Sequence, residues 1–144
     1  MILNVLAAVD GSGRAPGVFD TAADFAARFG ARLTLFRAIF VPPEFPAAAA
    51  GSHSDPLPAH LSEVAMGDLL RLAERAPAGL VVVAPPIVRF GVPWRLILEV
   101  SDELDVDLIV IGSHGYHGLD RILGTTAARV ANAARRNVLV VHET

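Results

Sequence analysis

The chain has no cysteine, so it carries no disulfide framework, no thiolate metal site and no cysteine nucleophile. Charge is sparse and nearly balanced, with 15 acidic residues against 12 basic ones and a formal net charge of -3. That balance leaves no electrostatic footprint for nucleic acid or for an anionic membrane surface, and any anion has to be bound locally. No uninterrupted apolar run approaches the ~18 residues of a membrane span. The segment from Met1 to Asp10 lacks a basic region and turns acidic too early for a secretion signal, which points to a cytoplasmic location. What the chain does have is hydrophobicity, 53% of its residues, far above a disordered composition. Its 144 residues suffice for one substantial core, and residues 1–144 are expected to form a single domain.

Apolar runs recur at Ile2 to Val9, Leu33 to Ile39, Leu80 to Val88, Leu108 to Ile111 and Val138 to Val141. Near-continuous Val, Ile and Leu of this kind suits strands buried on both faces, as in a parallel sheet. Helical patterns lie between them. Val18, Ala22, Phe25 and Phe29 form one stripe that ends at Gly30, a natural helix-stopping glycine. Trp94, Ile97, Val100 and Leu104 form a second, opened by Pro93, and the stripe places Trp94 in the core. Ala127, Val130, Ala131 and Ala134 form a third, and a helix over Leu61 to Ala76 contains the unfavourable Gly67. Strict alternation of strand and helix implies right-handed crossovers and a doubly wound, Rossmann-like α/β fold on a five-stranded parallel sheet. Pro85 and Pro86 interrupt the third run, which puts that strand at an edge, where proline is tolerated. Phe40 to Pro58, with five prolines and four consecutive alanines, reads as a crossover loop.

In an open parallel sheet, ligands bind beyond the carboxyl ends of the strands where the strand order reverses. Two such ends carry glycine-rich polar sequence: Val9-Asp10-Gly11-Ser12-Gly13 after the first strand and Gly112-Ser113-His114-Gly115 after the fourth. Glycines let successive backbone amides converge on an anion, and the helix that follows adds orphan N–H donors. Neither turn is a Walker A loop or a Gly-x-Gly-x-x-Gly fingerprint. His114 and His117 lack a matching third ligand, and Ser12 lacks the Gly-x-Ser-x-Gly elbow of a serine nucleophile. No metal site and no catalytic group follow from these residues. Arg121 and Arg129 fit a phosphate contact and a solvated helix face equally well.

The two turns, with Gly91-Val-Pro before a helix, Val106 to Gly115, Gly124-Thr-Thr-Ala-Ala-Arg-Val and Asn137 to Val141, resemble the universal stress protein family over nearly the full length. The resemblance implies strand order 3-2-1-4-5 in the manner of adenine nucleotide alpha hydrolases, and a homodimer built through the last strand. It implies ATP, with or without Mg2+, held by Val9, Asp10, Ala38, Gly112, Ser113, Gly115, Gly124, Thr125 and Thr126. Asp10 would lie near the adenosine or a phosphate-bound magnesium, and Ala38 would use only its main chain. The nucleotide would be a regulatory ligand in a stress response, not an enzyme's substrate. ATP-binding relatives carry Gly-x2-Gly-x9-Gly-Ser/Thr, whereas eight residues, Tyr116 to Leu123, separate Gly115 from Gly124 here. A residue missing from the loop leaves Gly124 and Thr125 within reach of phosphates; one missing from the helix rotates them by ~100°. The shortened spacing keeps a second reading open, a dimeric interaction module that binds no nucleotide. The Asp10-Gly11 pair also reads simply as a turn.

Overall fold

The computed structural model describes residues 1–40, 56–113 and 124–142. Its elements are β1 (Asn4–Ala8), α1 (Ala15–Phe29), β2 (Arg32–Ile39), α2 (Pro56–Ala73), β3 (Val82–Val83), β4 (Ile87–Phe90), α3 (Pro93–Glu103), β5 (Leu108–Gly112), α4 (Thr125–Ala133) and β6 (Asn137–Val141). All paired strands are parallel, in the order β3-β2-β1-β5-β6, with β4 also on β2. The expected third strand is therefore two short strands at one edge. Pro85 and Pro86 cannot donate to the ladder, so pairing stops after the Ala84 N–H reaches Leu33 O at 2.7 Å and resumes with Ile87 beside Phe36. Counted as one edge strand, the order is the anticipated 3-2-1-4-5, and the sheet has six strands instead of five only because of that proline break.

Alternation along the strands feeds two cores. Val5, Ala7, Leu33, Leu35, Leu108 and Val110 face α1 and α2. Leu6, Ala8, Phe36, Ile109 and Ile111 face α3 and α4 with Ile97, Val100, Ala127 and Val130. β1 is central, and Val5, Leu6 and Ala7 are fully enclosed. Each large side chain buried in this way contributes ~1.5–3 kcal/mol, whereas a solvent-screened surface ion pair such as Arg75–Asp20 adds little. Packing on the sheet therefore decides the fold. Among the described residues no helix is long and apolar enough to cross a membrane.

Three sequence expectations shift. In α1 the buried stripe is Val18, Phe19, Ala22, Ala23 and Ala26, while Phe29 is 50% exposed and stacks on Phe25 at 6.1 Å. The helix rotates so that small alanines, not both phenylalanines, lie against the sheet. It does end at Gly30, whose φ of 65° is left-handed, and the Ala31 N–H closes the turn onto Ala26 O at 2.8 Å. Second, α2 begins at Pro56 and ends at Ala73, so it takes up the last residues of the expected loop and tolerates Gly67. Third, Trp94 is only half-buried, with the guanidinium groups of Arg95 and Arg129 5.2 and 5.3 Å from its ring centre. The rest of the expected loop lies outside the described residues.

At the amino ends of the strands, Asp107 Oδ2 accepts the N–H groups of Leu3 and Asn4 at 2.8 and 2.9 Å. These bonds hold its carboxyl below the ordinary carboxylate range, with burial opposing them weakly. A depressed folded-state value gives stability that is present above the unfolded carboxylate value of ~3.9 and lost as pH falls through the folded one. Asp107→Ala is expected to lower stability by about 1 kcal/mol at pH ~7, measured by urea denaturation, and the deficit should fade on acidification. A deficit independent of pH would contradict this assignment.

Candidate functional site

β1, β2 and β5 are adjacent and parallel, so Ala8, Ile39 and Gly112 end at the same side of the sheet. The chain runs outward from β1 to β2 and the β3/β4 edge, then returns to β5 on the other flank of β1. This is the reversal point, where the crossovers diverge to opposite faces and leave a crevice. A cleft of about 300 Å³ occupies it. Its floor is apolar, formed by Phe36, Ile97 and Ile111, and its polar wall comes from Asp10, Arg14 and Thr126. The volume is at the lower end of the ~300–1,000 Å³ typical of small-molecule sites.

The cleft exists because β1 stops before its neighbour does. The last β1–β2 contact is the Val9 N–H donating to Phe36 O at 3.0 Å. On the opposite side of β2, Leu33 O accepts from Ala84 and Ile39 O accepts from Gly91. Main-chain groups therefore alternate, odd residues toward β3 and β4, even ones toward β1. Ala38 follows Phe36 by two, so its N–H and C=O point to β1's side at a level where β1 has already turned away. Ala38 lines the cleft, and an adjacent donor and acceptor are presented there by backbone alone.

Beyond β1 the chain makes a tight turn. Asp10 Oδ1 accepts from the Ser12 N–H at 2.9 Å and from Ser12 Oγ–H at 2.5 Å, and Ser12 Oγ accepts from the Arg14 N–H at 3.2 Å. The relay passes from Asp10 to the first residues of α1. Asp10 is thus a turn-forming aspartate and a lining residue at once, so its two sequence readings are compatible. At Gly11 an added Cβ would lie 2.7 Å from the Arg37 guanidinium, which is itself 3.4 Å from Asp68 of α2, so any larger residue there would have to displace that side chain. At Gly112 an added Cβ would meet Val18 Cγ2 at 3.2 Å, so the end of β5 passes tightly against α1. On the far wall α4 starts with Gly124 in an extended conformation and no side-chain cap. Its first amides lie at the helix's positive end, which favours an anion.

Of the nine sequence-predicted residues, Val9, Asp10, Ala38, Gly112 and Thr126 are brought together around the cleft. Ser113 is not among the lining residues, and its N–H donates to Val141 O at 2.8 Å, extending the β5–β6 ladder. Gly124 and Thr125 open α4 without being lining residues. Gly115 lies outside the described residues, as do His114, His117 and Arg121. Arg129 lies on Trp94. Sequence reading missed Arg14, the cationic member of the lining; the available signal was its position at the start of α1, directly after the Asp-Gly-Ser-Gly turn.

A model of the universal stress protein family matches residues 1–142. Universal stress protein A homolog 1 of Coxiella burnetii is 33% identical over 139 residues, which cover 96% of this chain and 94% of that protein. Among solved structures, universal stress protein UspA from Lactobacillus plantarum superposes with a TM-score of 0.73 at 26% identity and 97% coverage of each chain. A universal stress protein in complex with cAMP superposes with a TM-score of 0.68 at 27% identity, over 98% of this chain and 97% of that one.

The contact between Gly112 and Val18 gives a prediction. Gly112→Val is expected to cost ~1–3 kcal/mol by overpacking in urea denaturation. The double variant with Val18→Ala should be destabilised by less than the sum of the two single changes. Strict additivity would contradict the contact.

Proposed function

We propose that this chain, which belongs to the universal stress protein family, binds an adenine nucleotide as a regulatory ligand in the cleft between β1, β2 and β5. The observation that carries the reading is the main chain of Ala38, whose N–H and C=O face the cleft past the end of β1. Adenine offers a ring-nitrogen acceptor beside an amino donor, and a backbone amide and carbonyl on one strand complement that pair. The apolar floor of Phe36, Ile97 and Ile111 takes the flat base. The phosphates then run toward the amino end of α4 at Gly124, Thr125 and Thr126. A solved relative complexed with cAMP supports an adenine ligand. ATP, with or without Mg2+, is the form that the glycine pattern implies.

The nucleotide acts here as a signal, not a substrate. Phosphoryl transfer needs a positioned nucleophile and strong charge stabilisation; among the described residues the charged side chains of the lining are Asp10 and Arg14, and neither turn carries the P-loop lysine. The assembly we propose is a homodimer through β6. Among the described residues that strand pairs only with β5, and its Asn-Val-Leu-Val-Val sequence has neither the charges nor the proline that usually blunt an open edge. The site of action is the cytoplasm, in a stress response. The eight-residue spacing before Gly124 is the feature that favours the second reading, a dimeric interaction module without nucleotide.

Calorimetry separates the two. The purified protein is expected to elute as a dimer and to bind ATP or AMP with one site per chain, Asp10→Ala weakening binding by about tenfold, near 1.4 kcal/mol. A folded dimer that gives no binding heat with either nucleotide would establish the interaction module instead.

A further inference from the structure

We infer that Arg14 is the specificity-determining residue that holds the phosphate nearest the ribose and makes the cleft prefer a nucleotide to its bare nucleoside. The inference rests on the adenine-nucleotide reading above. The chain contains no lysine, so its cationic side chains are arginines, and Arg14 is the arginine that lines the cleft. Among the described residues the charges of the lining are one carboxylate, Asp10, and one guanidinium, Arg14. A carboxylate only accepts hydrogen bonds, so Asp10 suits the hydroxyl donors of a sugar and repels a phosphate. A guanidinium only donates and matches phosphate oxygens with its planar fork. The two charges thus divide the ligand between them, ribose to Asp10 and phosphate to Arg14.

The backbone fixes where Arg14 starts. Its N–H donates to Ser12 Oγ at 3.2 Å, Ser12 is held in turn by Asp10, and Arg14 O accepts from the Val18 N–H at 3.2 Å. The Cα is therefore set by the same relay that sets Asp10. A half-buried side chain departs from it on the α1 wall, while Thr126 and the amino end of α4 form the other. A phosphate between those walls meets a guanidinium on one side and a helix N-terminus on the other. The contacts with Ser12 and Val18 belong to the main chain and are kept when the Arg14 side chain is replaced.

The experiment is a calorimetric comparison of AMP and adenosine with wild type, Arg14→Ala and Arg14→Lys, the fold of each variant checked by thermal melting. Arg14→Ala should weaken AMP about tenfold or more, the scale of a lost charge-assisted hydrogen bond, and leave adenosine within about twofold. Arg14→Lys should restore part of the AMP affinity, and Arg14→Ala should flatten its dependence on salt. Unchanged AMP binding in Arg14→Ala, or equal losses for AMP and adenosine, would overturn the role of Arg14 while leaving the adenine site standing. Wild type that binds neither ligand would overturn both.

Discussion

Everything proposed for this molecule depends on two neighbouring strands ending at different levels. β1 contributes its last ladder bond at Val9, yet β2 continues to Ile39 because β4 accompanies it on the other side. A strand with one neighbour missing exposes half of its main-chain groups, and such groups are costly to bury without partners. Here they open into a cleft with an apolar floor, where a planar ligand with one donor and one acceptor can satisfy them. The Pro85-Pro86 break contributes to this arrangement, since pairing on that edge resumes at Ile87 and carries β2 outward past the end of β1.

The opposite end of the sheet is organised for stability. Asp107 ties the start of β1 to β5 through two main-chain bonds, and Arg136 bridges Asp102, Asp105 and the Val106 carbonyl. Hydrogen bonds to Asp102 and Asp105 keep the Arg136 guanidinium raised above its ordinary value, with burial opposing them. The carboxyl end instead holds glycines, hydroxyls and, among the described residues of the cleft lining, one opposed pair of charges. That division, structural charge at one end and backbone donors at the other, is what the proposed local binding of an anion by a nearly neutral chain relies on.

Much of this was legible in the residues. Buried strands announce themselves as Val, Ile and Leu runs because both faces are covered, and Gly30 marks its helix end because a left-handed turn suits glycine. The pairing of the Asp10 and Gly112 turns rests on the strand order that the family resemblance implies, which sets β1 beside β5. The misses have physical causes. Stripe periodicity counted Phe29 as core because it scores only its own helix, and helix rotation leaves that ring exposed, whereas Trp94 packs at the margin of the second core with Arg129 from α4 over its ring. Spacing could not show that the Ser113 amide belongs to the β5–β6 ladder. No motif picks out Arg14, because its place depends on the cleft wall on which it lies.

The most direct test is a crystal structure of the protein grown with an adenine nucleotide. The account predicts the base against Phe36 and Ile97, its edge hydrogen-bonded to the N–H and C=O of Ala38, and its phosphate between Arg14 and the amino end of α4. A nucleotide seated elsewhere, or a base that does not touch the main chain of Ala38, would contradict it.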